Sequence, residues 1–159
     1  MDKSILKKSI LAGTAGTIAM TIFATMAPVM GMPEMNIPKM LAGTMGISVA
    51  IGWVAHFMIG IVLALIYGKF FSNRLPGSYL LRGMLFSIIP WIMAQLMVMP
   101  MMAVMNNLPF TSGIFSGSLI MSLGSLLGHL VFGAVLGFTY GQLECQETSC
   151  QSISDVKIN

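Results

Sequence analysis

The only two histidines of this chain stand in the same sequence context. His56 is followed by Gly60, Tyr67 and Gly68, and His129 by Gly133, Tyr140 and Gly141, so the pattern H-x3-G-x6-Y-G occurs twice, 73 residues apart. Neutral imidazole is a common metal ligand and a proton carrier. Both copies lie in long apolar segments, where a titratable side chain is costly and by default marks function. Two such residues at equivalent points of a repeat describe one site built from both halves. Residues four apart share a helix face, which puts Gly52, His56, Gly60, Ala64 and Gly68 on one track and Ser125, His129, Gly133, Gly137 and Gly141 on another.

Glycines beside an imidazole leave room for something large and flat. A porphyrin iron takes axial ligands from its two faces, and one histidine from each of two facing helices supplies them, so the pattern points to haem b. Gly52, Gly60, Gly133 and Ser125 would then line the cofactor, with Thr21 and Gln95 bonding the outer ring nitrogens and fixing the imidazoles. The competing account is structural: small-xxx-small stripes let membrane helices approach closely, and the histidines merely join helices. Zinc normally takes at least three protein ligands, and no acid or cysteine is within reach. For the same reason Ser122 or Ser125 with His129 makes no hydrolytic triad, and no phosphate-loop or dinucleotide fingerprint occurs.

Methionine supplies a second chemistry. There are 17 in 159 residues, and they crowd one end of the chain's hairpins. Thioethers select Cu(I), so Met30, Met32, Met35, Met99, Met101 and Met102 form a candidate copper-handling set, weighed against methionine as flexible apolar filler.

The elements that must position these residues follow from composition. At 56% hydrophobic and 8% charged, with mean hydropathy +0.87, the chain is unlike a soluble domain, in which about a quarter of residues are charged. Residues 9–30, 45–67, 83–105 and 117–140 are free of Asp, Glu, Lys and Arg, and each is long enough to cross a bilayer, which takes about 20 helical residues. Lipid admits only helices or closed barrels. The expected fold is therefore all-α, a transmembrane four-helix bundle in one domain (residues 1–141), made of two parallel helical hairpins related by an axis along the membrane normal. If the helices follow one another around the bundle, spans two and four are diagonal and their histidines meet near the midplane.

Lys3, Lys7 and Lys8 before span one and Lys69, Arg74 and Arg82 around the middle connection put both termini in the cytoplasm by the positive-inside rule. That bias accounts for the formal charge of +3, so no nucleic-acid partner is inferred. Lys7 and Lys8 before an apolar run ending near Ala27 imitate a signal peptide, but Pro28 follows the only small-residue cut site, and the segment reads as a retained span. Pro28, Pro90 and Pro100 are expected to kink spans one and three, and residues 31–42, with Pro33 and Pro38, to form a compact cap. Residues 142–159 read as a polar, flexible cytoplasmic tail, whose Cys145 and Cys150 form neither a zinc nor a haem-attachment motif.

The runs A-G-T-A-G-T-I-A-M-T (12–21), M-G-M-P-E-M (30–35), G-W-V-A-H-F (52–57), L-P-G (75–77) with L-L-R-G-M-L-F (80–86), and G-H-L-V-F-G-A-V-L-G-F-T-Y-G (128–141) resemble a family of small bacterial four-span membrane proteins known as a domain of unknown function. The resemblance implies a bacterial inner-membrane location and the four-helix fold, and no activity. The expected function is a bis-histidine haem b protein of the bilayer, in electron transfer or as accessory to a respiratory or redox complex, possessing no catalysis of its own and able to form homo-oligomers. The alternatives are a structural or assembly protein without a cofactor, and copper handling through the methionines.

Overall fold

In a computed structural model, residues 3–32 and 34–158 are described, and among them there is no strand. Pro33 of the expected cap and the side chain of Cys150 lie outside the described residues. Four helical segments are long and apolar enough to cross a membrane: Lys3–Met30, Val49–Phe71, Tyr79–Met105 and Leu119–Glu147. They match the four expected spans with ends displaced by a few residues.

Local chemistry sets those ends. Helix α1 (Lys3–Met26) closes through a tight turn, Ala27–Met30. Pro28 opens that turn, and Gly31, at φ 78°, stops it by returning its N–H to the Ala27 and Pro28 carbonyls, a conformation that glycine adopts without steric cost. The connection that follows contains a short helix, α2 (Ile37–Met45), capped by Asn36, whose Oδ1 accepts the Lys39 N–H at 3.1 Å. Helix α3 (Val49–Ile66) starts at the Ser48 cap and runs into a wide turn, Tyr67–Phe71. Helix α4 (Tyr79–Met93) starts at Ser78, contains Pro90, and continues through a second wide turn, Ala94–Val98, into α5 (Met99–Met105). Pro100 cannot donate to the helix ladder, and the wide turn directly before it accommodates that loss. A one-turn helix, α6 (Phe110–Gly113), leads to α7 (Leu119–Ile158). The polar segment beyond residue 141 extends α7 as helix, and its first turns are tied to α1: Lys8 Nζ lies 3.0 Å from Glu147 and 3.6 Å from Glu144, and Ser4 Oγ donates to Glu147 at 2.5 Å.

Helix α1 packs between α3 and α7, and α7 packs between α1 and α4. The small residues make these contacts. A Cβ on Gly60 of α3 would run into Thr17 Oγ1 of α1, and one on Gly13 would stand 2.9 Å from Ala64 Cβ. In the other hairpin, Gly133 of α7 and Gly83 of α4 meet backbone to backbone, with Ser87 beside them. The buried face of α3 is Gly52, His56, Gly60 and Ala64, the track expected from the four-residue spacing. The wide turn that follows α3 meets α4 near the end that carries the termini, where Tyr67 and Phe71 pack on Phe86 at ring separations of 5.4 and 5.1 Å. Phe86, Tyr67, Phe132, Leu136 and Tyr140 form the apolar core there. Toward the opposite, distal end the two helices diverge and leave a cavity.

Candidate two-histidine cavity

That cavity has a volume of about 620 Å³ and is lined by α1, α2 with the connection before it, α3, α4, α5 and α7. Ligand sites generally fall between about 300 and 1,000 Å³. His56 from α3 and His129 from α7 both line it, so the two copies of the sequence motif do converge on one space.

The hydrogen bonds of the two rings differ. Thr21 Oγ1 donates its single proton to the Thr17 carbonyl at 2.8 Å. It lies 3.2 Å from His56 Nε2 and can therefore only accept there, which makes Nε2 the protonated nitrogen and leaves the Nδ1 lone pair. His129 Nδ1 lies 2.8 Å from the Ser125 carbonyl. A carbonyl only accepts, so Nδ1 carries the proton and Nε2 keeps its lone pair. Each imidazole is thus held through one ring nitrogen and, in its neutral form, keeps the other for a ligand. The Phe57 ring stands edge-on to His56 at 6.1 Å.

Thr21 meets His56 as the sequence suggested. Gln95 does not take the matching place: it is fully buried but absent from the cavity wall, and its Oε1 lies 3.4 Å from the Ser122 hydroxyl, which donates to the Phe115 carbonyl. The Ser122 carbonyl in turn accepts Trp91 Nε1 at 3.2 Å. The glycines also divide. Gly52 abuts the Pro38 carbonyl and Ala42 of α2, and Gly133 abuts α4, so both serve helix crossings away from the cavity wall. Gly60 reaches the wall but is pinned to Thr17. The glycines that open space are Gly124 and Gly128 on α7, which sequence reasoning passed over. Their spacing of four was the available signal; a Cβ at Gly128 would find nothing closer than Met20 at 3.6 Å.

The methionines sort by direction. Met30 and Met101 are 65% and 58% exposed, whereas Met35, Met99 and Met102 line the cavity together with Met20, Met93 and Met121. Among the described residues on the wall, Glu34 and Lys39 are the charged ones. A smaller cavity of about 270 Å³ reaches His56 from the distal end past Thr21, Thr25, Glu34, Asn36 and Trp53. Among the described residues, no group of three or more His, Cys, Asp or Glu side chains could hold a metal ion.

Fold and site together define a helical membrane protein with four spans around an apolar cavity walled by two histidines. The chain belongs to the Family of unknown function (DUF6789), whose model matches residues 4–151. No curated protein and no solved structure matches it.

Proposed function

We propose that His56 and His129 would together hold a b-type haem in the cavity, and that the protein serves electron transfer or a larger redox complex in a bacterial inner membrane, with both termini in the cytoplasm. One observation carries this reading: two imidazoles from separate spans line a single apolar cavity of about 620 Å³, each anchored through one ring nitrogen. The wall chemistry fits the group. Gly128 and Phe132 offer a flat apolar surface, and Asn36 and Lys39 at the distal rim are the polar donors suited to carboxylates.

A bound haem supplies one-electron chemistry. The chain's own residues do the rest. Thr21 and the Ser125 carbonyl set the ring planes, and a preset ring loses less freedom on ligation. The packed glycine crossings fix α3 against α1 and α7 against α4, and the apolar wall would keep water from a bound haem, a lever on its potential. The test is haem content: protein purified from haem-replete cells is expected to carry haem, and His56→Ala and His129→Ala are each expected to lose most of it. Equal haem content in wild type and both variants would defeat the proposal.

The structural reading rests on a different observation, the bond from His56 of α3 to Thr21 of α1, which joins two spans without any ligand. It expects colourless protein whose melting temperature, and nothing else, falls on His56→Gln.

A further inference from the structure

Met32 and Met35 come from the irregular chain between α1 and α2, and both reach over α7 to the same point. The Met32 sulfur lies 3.3 Å, and the Met35 sulfur 3.6 Å, from where a Cβ on Gly124 would stand, with the Met35 methyl at 2.8 Å. Gly124 is buried, so its missing side chain is what admits both thioethers. Met121 lies one turn earlier on the same face of α7 and lines the same cavity. Two thioethers thus meet over Gly124, with the Met121 side chain one turn away on α7.

We propose that Met32 and Met35, over Gly124 and next to Met121, form a thioether site for a soft monovalent cation, Cu(I) or Ag(I), at the distal end of the cavity. Neutral polarizable sulfur selects such ions, whereas hard divalent cations require oxygen ligands. Glu34, between the two methionines in sequence and on the cavity wall, supplies a countercharge and no competing ligand set. Met30 and Met101 are turned outward and take no part. This inference does not rest on the haem reading: it uses other residues, and either can fail alone.

The experiment is competition for Ag(I) between the detergent-solubilised full chain and a chromophoric chelator. Silver needs no reductant and stands in for Cu(I). Wild type is expected to bind tightly. Met32→Leu/Met35→Leu, nearly volume-conserving, is expected to bind about tenfold or more weakly, and the single Met32→Leu and Met35→Leu variants serve if the double does not fold. Gly124→Ala should also weaken binding, because its Cβ takes the space of the Met35 methyl. Met30→Leu/Met101→Leu should bind as wild type does. Wild type that fails to compete, Met32 and Met35 variants that bind unchanged, or equal loss of binding in the Met30/Met101 pair would each overturn the assignment.

Discussion

At the scale of single residues, the two histidines look alike in sequence and differ in the fold. His56 donates across a helix interface to Thr21, while His129 donates within its own helix to the Ser125 carbonyl. Thr21→Val keeps the shape, deletes the acceptor for His56, and leaves a buried N–H to find another partner. The expected cost is about 1–3 kcal/mol, read as a lower melting temperature of the solubilised protein; an unchanged melt would show that the bond contributes nothing. A variant that melts lower yet takes up haem with unaltered ligation would show that Thr21 serves the fold alone. The histidines, and Thr21 as a partner, were legible because four-residue spacing fixes depth and face along a span. Gln95 was misplaced because depth alone says nothing of which neighbour a side chain meets. Its wide turn, Ala94–Val98, rotates the helix there, and no residue pattern announces such a turn.

At the scale of elements, glycine separates two roles that sequence alone merges. Gly60 and Gly133 sit where helix backbones touch, so Gly60→Ala and Gly133→Ala should each destabilise by about 1–3 kcal/mol through overpacking. Gly43 of α2 has nothing within 4 Å of an added Cβ. Gly43→Ala should be neutral or stabilising by up to about 1 kcal/mol, since alanine favours the helix. Thermal unfolding of the three variants side by side checks this, and equal effects at all three positions would contradict the assignment. The spans were readable because apolar runs must satisfy their backbone in lipid. The helix α2 was not, since a cap of nine residues with one proline carries too little periodicity. Nor was the helical course beyond residue 141: its composition is polar, and what extends α7 there is pairing with Lys8 from the far end of the sequence.

At the scale of the whole molecule, the order of packing makes the site. Helices α1 and α7 form the middle of the bundle, α3 and α4 flank them, and the space where the flanking helices diverge is the cavity. Sequence symmetry brought the histidines to one place, but that the place would be a cavity depended on aromatic packing at one end and divergence at the other. The basic residues predict that the terminal end is cytoplasmic. Cys145 is exposed there, so a membrane-impermeant maleimide should label it only after cells are opened, in a variant lacking Cys150; labelling of intact cells would reverse the orientation. The central claim is that His56 and His129 hold one haem between them. An optical titration of the purified protein with haem, followed by reduction, tests it most directly. The account predicts saturation at one haem per chain with the spectrum of six-coordinate low-spin iron, lost in His56→Ala and in His129→Ala. Non-saturating uptake, or the same spectrum in both variants, would contradict it.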